Sequence, residues 1–119
     1  MSNKNFQNCK KWLRQSYPVK KKILITRVNN TTIAKWAKVD GIPHKEGDEY
    51  HGFCRWNPDS KQYVIYINKE HSDKVQLDTL LHEYAHVLQF EEPGGAEQWH
   101  GHVFQKYYNK LCNKWSECI

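Results

Sequence analysis

The sequence predicts one α+β domain over residues 1–119, a small sheet of three to four strands packed against helices. Apolar residues recur at helical spacing near both ends of the chain. Its middle holds short runs rich in β-branched and aromatic residues, broken by turn chemistry. No repeat, low-complexity tract or long linker divides it, and 119 residues build one core rather than two. Only 39% of the residues are hydrophobic, yet five Trp, seven Tyr and four Phe supply bulk enough for a folded globule.

Phe6, Cys9 and Leu13, joined by Trp12, lie on one helical face with Lys10, Lys11 and Arg14 between them. This predicts an amphipathic helix over Asn3–Ser16, ended by Pro18. Ile23–Val28 is apolar and β-branched and reads as a strand, with Asn29-Asn30 as a turn after it. Thr31–Val39 reads as a second strand, and Gly41–Asp48 as a polar loop. Tyr50–Trp56 and Gln62–Asn68 read as a hairpin around Asn57-Pro58-Asp59-Ser60, where Pro fixes φ and Asn and Asp tolerate the turn. In the second of these strands Tyr63, Ile65 and Ile67 share one face, and Val64 and Tyr66 the other.

From Asp73 to Glu91 the period becomes helical, with Leu77, Leu80, Leu81, Tyr84 and Leu88 in one stripe. Ser72 or Asp73 caps this helix and Pro93-Gly94-Gly95 ends it. A last helix over Gly101–Trp115 presents Phe104, Tyr107, Leu111 and Trp115.

The net charge is +5. The cations gather in Lys10, Lys11, Arg14, Lys20, Lys21 and Lys22, and again in Lys106, Lys110 and Lys114. Such faces are either solvated or a surface for DNA, and no known nucleic-acid-binding motif accompanies them. No apolar run approaches the roughly 20 residues of a membrane span. Met1–Arg14 has no apolar core of a signal peptide, so the expected compartment is the cytoplasm. The matches to the glycosylation pattern at Asn29 and Asn30 are then without consequence. Four cysteines, Cys9, Cys54, Cys112 and Cys118, form no Cys-x-x-Cys pair. They read as free thiols, with Cys9, Cys54 and Cys112 as small core residues.

The chemistry concentrates in His82-Glu83-Tyr84-Ala85-His86. Residues four apart on a helix project from the same side, so both imidazoles reach one zinc ion. Glu83 lies about 100° round the helix from His82, close enough to act as general base without ligating. A catalytic zinc takes a third protein ligand and keeps one position open. The Pro-Gly-Gly turn lets the next helix fold back, which makes His100 the candidate, with His102 and Glu97 as alternatives. His44, His51 and His71 lack paired spacing and read as surface or core polar residues. Tyr84, Tyr107 and Tyr108 are candidate oxyanion donors, with core packing as the competing role.

Thr79-Leu80-Leu81-His82-Glu83-Tyr84-Ala85-His86, followed by Trp99-His100-Gly101-His102-Val103-Phe104, resembles the SprT-like metalloprotease domain, the group that includes Spartan. In that family a His-Gly-x-x-Phe motif opens a helix soon after the His-Glu-x-x-His helix. The resemblance implies a zincin-like fold with His100 as third zinc ligand and Phe104 in the core. It implies a zinc-dependent metallopeptidase with protein substrates, and in Spartan-type members action on proteins crosslinked to DNA. No cysteine pattern of a zinc ribbon accompanies these motifs, and the expectation is a compact domain without Spartan's tails, in which the basic faces are the support for a DNA partner. Two other readings fit the motif: a repressor-cleaving protease resembling the ImmA/IrrE group, whose third ligand is usually acidic, and a non-catalytic, zinc-stabilised DNA-binding module.

Overall fold

The computed structural model describes residues 2–42, 49–93 and 100–118. Helix α1 (Ser2–Ser16) leads into strand β1 (Lys22–Val28), helix α2 (Asn30–Val39), strands β2 (Gly52–Asn57) and β3 (Gln62–Asn68), and helices α3 (Asp73–Glu91) and α4 (His102–Cys118). The α+β class holds, with four helices and a mixed three-stranded sheet among the described residues.

The strand expected over Thr31–Val39 is instead helix α2. The β-branched Thr31, Thr32, Ile33 and Val39 suggested a strand. What decides the matter is the cap and the period. The Asn29 side chain accepts from the Thr32 backbone N–H at 3.0 Å, which makes the Asn29-Asn30 pair a helix start rather than a reversal. Ile33 and Ala37, four apart, are both fully buried. Trp36 adds to the same face by stacking on Tyr66 at 6.3 Å.

The sheet order is β1-β3-β2. The expected hairpin forms, with β2 antiparallel to β3. β1 runs parallel to β3, Ile25 opposite Ile65, which requires a crossover, and α2 lies in it. Alternation along β3 sorts the two cores as the sequence predicts. Tyr63, Ile65 and Ile67 join the large cluster with α1, α3 and α4, while Val64 and Tyr66 face Ile33 and Phe53. Cys9 and Cys54 are buried, Cys112 is half-buried, Cys118 is exposed, and all four are free thiols. None of the described helices is long and apolar enough to cross a membrane.

Helix α3 crosses the sheet and is buried almost all round. Ser72 caps it, accepting from the Val75 N–H at 3.3 Å. Besides the apolar residues it buries a polar stripe at helical spacing: Gln76, Thr79, Glu83, His86 and Gln89. This stripe meets β2 at Gly52. A Cβ there would stand 2.5 Å from Thr79 Cγ2 and 2.7 Å from the Tyr66 carbonyl oxygen. The backbone oxygen cannot yield, so any side chain lifts the strand from the helix. Gly52→Ala is therefore expected to destabilise the fold by about 1–3 kcal/mol, read as a lower midpoint in chemical denaturation.

Candidate metal centre

Three imidazoles converge beside Glu83. His82 and His86 stand one turn apart on α3, with ring centroids 5.1 Å from each other. His100 lies just ahead of α4 and reaches both: its Nε2 is 3.2 Å from His86 Nε2 and 3.3 Å from His82 Nε2. Phe104, almost fully buried, forms the floor. Its ring stacks on His86 at 4.3 Å and lies 4.8 Å from His82 and 5.0 Å from His100. The approach to α4 thus places the third imidazole, and the first turn of α4 the apolar wall behind the set.

The buried residue behind His86 is Gln89. Its Oε1 lies 2.9 Å from His86 Nδ1. An amide oxygen only accepts, so His86 carries its proton on Nδ1 and presents a bare lone pair on Nε2. Burial also pushes the His86 pKa down to about 4, and holds His82 below its ordinary value with His100 as a further cause. Both stay neutral at physiological pH. Imidazole nitrogens gathered within 4.8 Å of one another are a donor set for a cation, and these three residues can hold a metal ion. Gln89 escaped the sequence reading, although its place three residues after His86 puts it on the same helical face. Gln89→Leu, which keeps the bulk and removes the acceptor, is expected to weaken metal binding by about 10–100-fold in calorimetric titration.

Glu83 is 7% exposed. Burial pushes its carboxyl up to about 8, since nothing among the described residues offsets the lost solvation of the charge. It borders two adjoining hollows on the flank of α3, both of which include Gly52 and His82.

The other sequence candidates separate. His102 is exposed and stands outside the histidine cluster. Glu97 and His44 lie outside the described residues. His51, read from the sequence as an unremarkable polar residue, lines the cleft and rests on His71 at 4.6 Å between centroids. The Tyr84 hydroxyl donates to the carbonyls of Tyr17 and Leu13, at 2.7 and 3.3 Å, on the far side of α3. The Tyr107 hydroxyl donates to Glu92 at 3.2 Å and that of Tyr108 to Asp78 at 2.7 Å. The three tyrosine hydroxyls therefore serve packing and hydrogen bonding between elements.

The basic residues collect elsewhere. Arg14, Lys21 and Lys22 border a hollow that Tyr84 also lines. Tyr84 points about 200° round the helix from His82. Lys106 is engaged with Glu92 at 2.9 Å.

Against known protein families, the SprT-like family model matches residues 24–118, a span that contains all three histidines, Glu83 and Phe104. No curated protein and no solved structure matches the chain.

Proposed function

The chain belongs to the SprT-like family, and from that premise we propose that it is a zinc-dependent metallopeptidase with a zincin-like site, in which His82, His86 and His100 hold the metal and Glu83 is the general base. The observation that carries this is the convergence of three imidazoles next to a buried carboxyl in an open cleft.

The donor set suits zinc. Nitrogens roughly 2.0–2.1 Å from a tetrahedral zinc stand about 3.3 Å from one another, and His100 Nε2 lies 3.2 and 3.3 Å from the other two. Only three ligands gather among the described residues, as in catalytic rather than closed structural sites. That favours an enzyme over a zinc-stabilised binding module. Among the described residues the group that joins His82 and His86 is an imidazole, His100, which favours the SprT-like reading over the ImmA/IrrE one. Zinc bound there supplies Lewis-acid activation of water and of the scissile carbonyl.

The remaining work falls to the chain. Glu83 takes the proton of the attacking water and returns it to the leaving amine. In the metal-free protein burial raises its carboxyl to about 8; a dication held by the neighbouring imidazoles would favour the carboxylate, the form that accepts a proton. Gln89 holds the His86 ring and its tautomer. Phe104 walls the site with an apolar ring.

β2 is an edge strand among the described residues. The Asn68 N–H donates to the His51 carbonyl at 2.9 Å, so the next position, Gly52, falls at a non-hydrogen-bonded pair with Ile67. The Gly52 N–H and C=O therefore point away from β3, where an extended peptide backbone laid along this edge would meet them. Protein segments are the substrate this favours. DNA, if it associates, is served by the Arg14, Lys21 and Lys22 face behind α3 rather than by the cleft.

The test is direct. Purified protein with one equivalent of zinc is expected to cleave an unfolded protein, to lose that activity on chelation, and to regain it when zinc is restored. Cleavage that persists after quantitative metal removal would reject the reading.

A further inference from the structure

The cleft that passes Glu83 has two chemically unlike halves. We propose that they are subsites selecting the side chains that flank the scissile bond, a large apolar one toward His100 and a hydrogen-bond-donating one toward Asp78. This rests on the peptidase reading and specifies its substrate.

The half toward His86 and His100 is a hollow of about 220 Å³ whose other walls are Ile42, Tyr50 and Phe53. Ile42 lines this hollow and is 39% exposed. A branched apolar side chain uncovered in the lining of a hollow is what an incoming apolar group would bury. Tyr50 is held from both sides of its backbone. Its N–H donates to Asn30 Oδ1 at 2.7 Å, and its carbonyl accepts from Asn68 Nδ2 at 2.7 Å. Asn68 itself is fully buried, so this wall is anchored to the core of the sheet.

The half toward the start of α3 holds about 210 Å³ and is walled by His51, Asp78 and Thr79. Thr79 turns its hydroxyl away to the Val75 carbonyl at 2.7 Å and shows its methyl to Gly52. The polar character therefore comes from Asp78 and His51. The Tyr108 hydroxyl donates to Asp78 Oδ1 at 2.7 Å and fixes the carboxylate. An ionised carboxylate only accepts hydrogen bonds, so its complement is a donor: an amide, a hydroxyl or a cation.

Gly52, His82 and Glu83 border both halves, so the reacting carboxyl sits between them. Each hollow has the volume of about seven water molecules, less than the roughly 300 Å³ or more of a pocket that encloses a whole small ligand. Two side-chain-sized hollows along an open strand edge suit a polymer that continues past the site at both ends.

The test uses zinc-loaded wild-type protein and a peptide library from a digested, denatured proteome, with cut sites read by mass spectrometry. Binding of one matched and one scrambled peptide to zinc-loaded Glu83→Gln is measured by fluorescence anisotropy. The expected result is enrichment of Leu, Ile, Phe or Tyr on one side of the cut and of donor side chains on the other. Ile42→Asp, a change at an exposed position, is expected to erase the apolar enrichment. It should also lower kcat/KM on the matched peptide by on the order of tenfold or more, through KM. Asp78→Asn, which still accepts the Tyr108 hydroxyl, is expected to erase the donor enrichment at unchanged zinc content. Unbiased cut sites, or a bias that survives both substitutions, overturn the subsites and leave the peptidase standing. No cutting by the wild type, together with no peptide bound by Glu83→Gln, overturns both.

Discussion

Glu83→Gln is expected to keep its metal and lose its activity, with peptide hydrolysis falling by about 10²–10⁴-fold. The substitution is nearly isosteric in a site that is almost closed to solvent, so the three imidazoles keep their places and zinc content by elemental analysis stays at the wild-type level. What disappears is a group able to take a proton from water. A second, independent signature comes from pH. In the metal-free protein burial raises the Glu83 carboxyl from its ordinary 4.5 to about 8. The unfolded chain therefore releases this proton at lower pH than the folded one. The stabilisation from keeping the group neutral is full below pH 4.5 and is lost as pH rises through 8. Glutamine has no such proton. With chelator present, the melting temperature of the variant should gain on that of the wild type between pH 5 and 8. Equal rates of peptide cleavage by the two proteins would remove Glu83 from the mechanism.

His100→Ala separates metal binding from folding. His100 is exposed and lies outside α4, so its side chain contributes little to the core. The metal-free variant should melt close to the metal-free wild type. The wild type gains about 4 kcal/mol when zinc is present at a thousandfold excess over its Kd. With two imidazoles left, that gain should largely vanish, and with it the activity. His86→Ala forms the contrast. His86 is 1% exposed and hydrogen-bonded to a fully buried Gln89. Removing it leaves a void and takes away the hydrogen bond to Gln89 Oε1, and should destabilise even the metal-free protein by about 2–4 kcal/mol. Zinc-dependent differential scanning calorimetry on the three proteins reads both effects. A zinc-induced shift in His100→Ala equal to that of the wild type would show that the third ligand lies elsewhere.

Part of the fold and site is local and was legible in the residues. Helix α3 runs over Asp73–Glu91 as its period predicts, because a run of nineteen residues with a Ser cap leaves the backbone few alternatives. His82 and His86 face one way for the same reason: the pitch of a helix is a property of the chain, not of its surroundings. The hairpin from Gly52 to Asn68 follows from alternation and from Asn57, whose side chain accepts from the Asp59 and Ser60 N–H groups at 3.0 and 3.3 Å.

What packing alone decided lies between segments distant in sequence. Helix α2 shows the limit of propensity. Its β-branched residues favour a strand in isolation, and the buried face of Ile33 and Ala37 against the sheet outweighs that preference. The parallel pairing of β1 with β3, the meeting of Gly52 with Thr79, and the two halves of the cleft likewise have no signature in local periodicity. His100 was a candidate on spacing and resemblance, but only the return of α4 against α3 brings its nitrogen within 3.3 Å of the other two. Sequence period sets the direction of a side chain within its own element. Convergence of side chains from separate elements is set by the long-range burial that docks those elements together.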